Sequence, residues 1–251
     1  MSEKQSALRT IAILSAAGRG IRVGSVRNKI LLPLLGKPIL AYALEALRAV
    51  PRLDGFVLVV RQEEREEILN QVVKKVLAGD PRPFWLCSGG ETREDSMWSG
   101  LQSLPDSCET VLYHDGARPF LDPAIVENAL DRFFSGTEDG VVCAVPVKDT
   151  IKVVGKNDRV TATPIRAGLR AVQTPQIFRR HAIVHAYEVA RDESILTTDD
   201  AQILEIAGGK IAVTPGDYGN IKITTPEDLA YGEWLLRTQQ KEIGAGRGRE
   251  A

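Results

Sequence analysis

The chain has 251 residues, 43% of them hydrophobic, enough for one large α/β domain or two small ones. Its 32 basic and 33 acidic residues give a formal net charge of −1. That balance argues against a general nucleic-acid or membrane-surface binder. No stretch approaches the ~18 apolar residues of a membrane helix, and the polar start MSEKQSALRT lacks the core of a signal peptide. Cys87, Cys108 and Cys143 lie far apart with no C-x-x-C, so a reducing, cytoplasmic setting is expected.

Taken in chain order, strands are predicted at 10–14, 55–60, 84–87, 109–113 and 140–145. Their runs are continuously apolar, as in strands buried on both faces. Helices are predicted between them. Ile39, Leu40, Ala43, Leu44 and Leu47 share one face, behind Pro38 as a first-turn residue. Residues 63–78 open on EEREE, acidic charge suited to a helix N-terminus. Thr92 with Asp95 reads as a capping box, and Asp122 followed by Pro123 opens another helix. This alternation predicts an α/β, Rossmann-like doubly wound, mostly parallel sheet.

The rhythm breaks after Val145. TIKVV and RVTAT are two short β segments around a GKND turn. The reading is an inserted β-hairpin at about 147–172, a dimerisation arm that leaves the domain to pack on a second subunit. Helices resume at 179–191 and 199–207, followed by a strand at 210–214, an extended NIKIT, and a final helix capped at Thr225. His181 and His185 lie four apart on one of these helices and read as a surface pair. One domain is expected over 8–237, with flexible tails at 1–7 and 238–251.

The stretch after the first strand, SAAGRGIRVGSVRNK, is rich in glycine and cations. Glycines let backbone N–H groups approach phosphates, and Arg and Lys add charge to the same anion. A Walker A loop needs G-x-x-x-x-G-K-[ST], and Val23 stands where its second glycine belongs. Val23 also occupies the third glycine position of G-x-G-x-x-G. A triphosphate site at which charge grows during reaction is the remaining reading. Arg19 and Arg27 are read as solubilising; for Arg22 and Lys29 it is the resemblance given next that implies a functional role.

AAGRGIRVGSVRNKILLPLLGKPIL resembles the small-molecule nucleotidyltransferases. With GGETREDS, HDGARPF, PVKDTIK, QTPQIF, TDDA and NIKITTPEDL in that order, residues 9–237 resemble the 2-C-methyl-D-erythritol 4-phosphate cytidylyltransferases. That family transfers CMP from CTP to the sugar-alcohol phosphate, with Mg²⁺, in the non-mevalonate isoprenoid pathway.

The resemblance implies roles for individual residues. Ala16, Ala17, Gly18, Gly90, Glu91, Ser96 and Asp115 would bind the nucleotide. Arg22, Lys29 and Lys222 would be catalytic. Arg118, Thr150, Arg166, Thr174 and Lys222 would bind the acceptor, Thr150 and Arg166 from the other subunit of a homodimer. Asp115 would hold the metal. His114 is expected to be structural, and Asp199 and Asp200 to cap a helix, touch substrate, or both. No nucleic-acid or membrane partner is implied. A ribitol 5-phosphate cytidylyltransferase and an inactive nucleotide-binding regulatory module are the alternatives.

The sequence departs from the family's pattern at two places. Asn28-Lys29-Ile30 replaces the common P-K-[Q], which removes a fixed φ and predicts a looser loop. Gly116 stands where Ala or Ser is more frequent, a change expected to be tolerated. Some relatives carry a second catalytic domain; the length here implies one activity.

Overall fold

The computed structural model describes residues 9–18, 28–192, 197 and 199–247, with side chains left aside at 192 and 239–247. Seven strands form one sheet in the order β11-β7-β10-β6-β1-β4-β5. They are β1 (Thr10–Ser15), β4 (Gly55–Val60), β5 (Phe84–Ser88), β6 (Thr110–Asp115), β7 (Gly140–Pro146), β10 (Arg170–Arg179) and β11 (Ile211–Pro215). β10 runs antiparallel to β6 and β7, and the other pairings are parallel.

The continuous apolar reading of the strands has a direct cause. Successive side chains point to opposite faces, and both faces are covered. Ala12, Leu14, Phe56, Leu58 and Leu112 face one core; Ile11, Ile13, Val57, Val59, Val111 and Tyr113 face the other. The first core is closed by α1 (Ile39–Arg48), by the segment holding α2 (Arg65–Ile68) and α3 (Lys74–Val76), and by α5 (Pro123–Ser135). The second is closed by α4 (Arg93–Gln102), α6 (Arg180–Asp192) and α7 (Asp200–Ile206). This is the doubly wound architecture that the alternation predicts.

The caps agree in detail. Thr92 and Asp95 form the capping box, Asp122 caps α5 with Pro123 behind it, and Gly208 at φ 82° ends α7. Pro38 lies one residue outside its predicted place, as the N-cap of α1 and the end of β3 (Lys37–Pro38), which pairs with β2 (Pro33–Leu34). The predicted 63–78 helix is split by a π turn at Leu69–Val73 between α2 and α3.

Two expectations need correction, at the end of the arm and in the C-terminal tail. The arm is expected to run to about residue 172, but residues 170–172 already belong to β10, which enters the sheet between β6 and β7. NIKIT joins no strand ladder and is held by Ile223 N–H donating to Ala117 O at 2.9 Å. The final helix α8 (Pro226–Arg247) runs past 238, where a frayed tail was expected.

The hairpin is present as β8 (Val153–Val154) and β9 (Val160–Ala162) around a turn with Asn157 at φ 59° and Asp158 at φ 53°. From Lys148 to Thr163 every residue is exposed, so the arm does not fold back onto its own domain.

Candidate active site

The chain steps from β1 to β4 on one side and to β6 on the other, so the sheet order reverses between β1 and β6. Open α/β sheets bind ligands outside the carboxyl ends of strands at such a point. Here β1 ends at Ser15 and β6 at Asp115, and the two residues are register partners.

A cavity of about 490 Å³ opens beside the end of β1. Ala17, Gly18, Gly90, Glu91 and Ser96, five of the residues for which the resemblance implies nucleotide binding, line it together with Arg61 and Arg93. Ala16 is buried between the lining residues Ser15 and Ala17 and does not itself line the cavity; its N–H donates to Val59 O at 2.8 Å. Ser96 Oγ accepts from the Gly90 N–H at 3.1 Å and donates to Thr92 O at 2.9 Å, which fixes the glycine loop to the first turn of α4. Gly89 makes this approach possible, because a Cβ there would lie 2.4 Å from the Ala17 Cβ.

A smaller cavity of about 140 Å³ adjoins the end of β6. Asp115, Arg118, Thr174 and Lys222 meet there, drawn from β6, its following loop, β10 and the NIKIT segment. Asp115 Oδ2 accepts from Lys222 Nζ at 2.9 Å and from Arg118 Nε at 3.3 Å. Burial alone would raise the Asp115 pKa; the two cations outweigh it and hold the carboxyl well below the usual carboxylate range. Arg118 also donates to Asn220 O at 2.7 Å, and Asn220 Nδ2 donates to Thr174 O at 2.8 Å.

His114 underlies this cluster, fully buried. Thr174 Oγ1 accepts from the Asp115 N–H at 3.1 Å and lies 3.0 Å from His114 Nδ1, while His114 Nε2 lies 3.3 Å from Arg118 O. A hydroxyl donating to Nδ1 and an Nε2–H donating to a carbonyl describe a neutral imidazole. Burial pushes its pKa down to about 4. His114 is therefore structural, as expected, and it orients Thr174. His181 and His185 are both exposed on α6.

Arg93 was not singled out in the sequence, although it stands within GGETREDS. It lines both cavities. Its guanidinium is paired with the fully buried Asp200, which also accepts from Tyr187 Oη, and lies 5.2 Å from the centre of the Tyr113 ring. Burial pushes the Asp200 pKa up, and Arg93 and the Tyr187 hydroxyl hold it back. Asp199 caps α7 through Gln202 N–H at 2.9 Å and accepts from Gln176 Nε2 at 3.1 Å. The two aspartates thus divide the work: one caps, the other locks α7 to α4.

Lys29 opens the 3-10 turn Lys29–Leu31 and is half-buried. Arg22, with Arg19 and Arg27, lies outside the described residues. Thr150 and Arg166 are exposed on the arm and line neither cavity; Arg166 donates to Lys148 O at 2.8 Å. Among the described residues no group of three or more His, Cys, Asp or Glu is arranged to hold a metal ion. Asp115 is a single ionised carboxylate at the mouth of the sheet. That fits Mg²⁺, which binds through one or two carboxylates and shares its remaining positions with substrate phosphates and water.

The family model of 2-C-methyl-D-erythritol 4-phosphate cytidylyltransferase (IspD) matches residues 10–238. The chain belongs to this family. It is a cytidylyltransferase of the non-mevalonate isoprenoid pathway. It is 40% identical to the 2-C-methyl-D-erythritol 4-phosphate cytidylyltransferase of Alkaliphilus metalliredigens, across 93% of this chain and 95% of the relative. With the enzyme of the same name from Microcystis aeruginosa it is also 40% identical, across 89% and 97%. The crystal structure of 4-diphosphocytidyl-2C-methyl-D-erythritol synthase from Anaerococcus prevotii superimposes with a TM-score of 0.80 at 30% identity, covering 92% of this chain and all of that one.

Among the described residues no helix is long and apolar enough to cross a membrane.

Proposed function

We propose that the two adjoining cavities hold CTP and 2-C-methyl-D-erythritol 4-phosphate, and that CMP passes between them by in-line displacement. One observation carries this reading. Asp115, Arg118 and Lys222 gather opposite charges at the switch point, beside a glycine-lined cavity, and Arg93 borders both spaces.

An acceptor phosphate oxygen attacks the α-phosphorus of CTP. The new O–P bond forms as the bond from the α-phosphorus to the bridging oxygen breaks, and pyrophosphate leaves. A phosphate monoester has a second pKa near ~6, so its oxygen is already ionised at neutral pH and needs no general base. The protein's task is to align two anions and offset the charge that grows on the transferred group.

Ala16, Ala17, Gly18, Gly90, Glu91 and Ser96 receive the cytidine and the start of the phosphate path. Arg22 and Lys29 bear on the triphosphate, and Lys222 on the α-phosphate. Arg118 and Thr174 face the acceptor. Asp115 would hold Mg²⁺, which would supply positive charge to offset that of the phosphates. Thr150 and Arg166 reach the acceptor phosphate of a second subunit in a homodimer. The exposed, Val- and Ile-bearing arm supports this arrangement. The enzyme works in the cytoplasm.

The test is pyrophosphate release from CTP and Mg²⁺ with 2-C-methyl-D-erythritol 4-phosphate against ribitol 5-phosphate. Preference for the first is expected. A preference for ribitol 5-phosphate would overturn the substrate, and CTP binding with no turnover on either would overturn the reaction.

A further inference from the structure

Asn28 stands immediately before Lys29, where the expectation from sequence is a looser loop. Residues 19–27 of that loop lie outside the described residues, but Asn28 itself is held in place. Asn28 is 2% exposed, and its backbone sits at φ −58°, ψ 127°. A proline ring imposes a φ near −65°, so asparagine keeps here the conformation a ring would enforce.

Side-chain bonds do the enforcing. Asn28 Nδ2 donates to Ala16 O at 3.1 Å and to Glu64 Oε2 at 2.7 Å, and Oδ1 accepts from the Ile30 N–H at 3.4 Å. Both amide hydrogens and the amide oxygen are therefore engaged, in a place where water does not compete. The Asn28 carbonyl accepts from the Leu31 N–H at 3.0 Å and so closes the turn that Lys29 opens. On the far side, the buried Ile30 and Leu31 anchor that turn in the core.

The partners of Asn28 belong to the nucleotide side of the site. Ala16 precedes Ala17, which lines the larger cavity. Glu64 follows β4; its side chain is 12% exposed, and its other oxygen lies 3.6 Å from Nη1 of Arg61, which lines the same cavity. One carboxylate thus holds both the Asn28 amide and a cavity-lining guanidinium.

We infer that Asn28 is a positioning residue for Lys29: its carboxamide ties the Lys29 turn to Ala16, next to the cavity-lining Ala17, and to Glu64, next to the cavity-lining Glu63 and beside the cavity-lining Arg61. The inference rests on the reading of Lys29 as a phosphate-stabilising group. It deepens that reading by assigning how the lysine is held. Asn28 itself touches neither substrate.

The experiment compares Asn28→Ala, Glu64→Ala, the double variant and Glu64→Gln, with Lys29→Ala alongside, by steady-state kinetics and thermal melting. Asn28→Ala and Glu64→Ala should each lower kcat by about 10-fold, because a small misplacement of a reacting group is costly. The KM of the acceptor should stay within about twofold, and melting should remain above the assay temperature. The double variant should be no slower than Asn28→Ala, since both remove one latch. Glu64→Gln keeps an acceptor oxygen for Asn28 and should retain the parent kcat. A parent-like kcat in Asn28→Ala, or losses that multiply as for independent sites, would overturn the latch. If Asn28→Ala fails to fold, the contrast between Glu64→Ala and Glu64→Gln still decides: equal rates in those two would reject it. A parent-like rate in Lys29→Ala would instead reject the role of the lysine, and so is separable from failure of the latch.

Discussion

Lys222 Nζ lies 2.9 Å from Asp115 Oδ2, and Arg118 Nε reaches the same oxygen at 3.3 Å. The carboxylate is buried, so its charge is tolerated only because two cations face it. Replacing Asp115 by Asn keeps the shape and removes the charge. Lys222 then loses its anchor, and the site loses the carboxylate proposed to hold Mg²⁺. The expected result is a fall in kcat of roughly 10²-fold or more, the scale of losing one preorganised charge-bearing group. Lys222→Ala should fall by a similar factor. Pyrophosphate release measures both, and a rate within threefold of the parent would remove Asp115 from the reaction.

His114 gives the protein an acid-sensitive element. Its folded pKa is about 4, below the ~6.5 of an unfolded histidine. A depressed value means that the neutral form is the one the fold accepts. Its stability is present in full above ~6.5 and is lost as pH falls through about 4. The total loss is on the order of 3 kcal/mol. Thermal melting from pH 7 to pH 5 should show the first part of this decline. His114→Gln should flatten it, at a lower starting stability because Thr174 loses its ring partner. An identical pH dependence in the two proteins would assign the decline to other groups.

The pairing of Arg93 with Asp200 joins the N-termini of α4 and α7, far apart in sequence. Asp200→Ala would leave Arg93 without its carboxylate and Tyr187 Oη without its acceptor. Breaking a buried pair from one side costs about 3–5 kcal/mol. The midpoint of urea unfolding should drop accordingly, with the slope unchanged. Arg93 lines both cavities, so the variant should also lower kcat at temperatures where it remains folded. An unchanged midpoint would mean that the pair contributes no net stability.

Much of this was legible in the residues. Continuous Val, Leu and Ile runs with short links require a sheet covered on both faces, and the caps at Thr92 and Asp122 follow from local hydrogen bonding. The cavity-lining stretches Ala17–Gly18 and Gly90–Ser96 carry motif spacing that survives folding. What escaped was set by distant partners. β10 is a strand because β6 and β7 leave a slot between them, and its own QTPQ stretch, with Pro175, does not read as one. Arg93 and Asp200 are adjacent only after folding. Asn28 looked like a loss of rigidity because a ring is visible in sequence and a carboxamide's three partners are not. Gly116 was expected merely to be tolerated. In the structure a Cβ there would lie 2.6 Å from Ser15 O and 2.7 Å from Leu40 Cδ1, so glycine fits an approach that alanine would have to widen.

The arm carries the last prediction. Val153, Val154, Val160 and Ile165 are 46%, 53%, 57% and 84% exposed, an unusual load for a segment that touches little of its own domain. Exposed apolar surface of this kind marks an interface, and a second copy bearing the same arm supplies a matching patch. Val160→Glu combined with Ile165→Glu places charge in the proposed contact without touching either cavity. Sedimentation should then show a dimer in the parent and a monomer in the variant. The kinetic consequence separates assembly from folding. If Thr150 and Arg166 serve the partner's acceptor, the variant should raise the KM for 2-C-methyl-D-erythritol 4-phosphate by about 10-fold and leave that for CTP near its parent value. Arg166→Ala should raise the same KM while leaving the dimer intact, because its guanidinium is exposed and, among the described residues, donates within the arm to Lys148 O. A monomeric variant with unchanged acceptor kinetics would keep the interface but deny the arm its place in the neighbouring site.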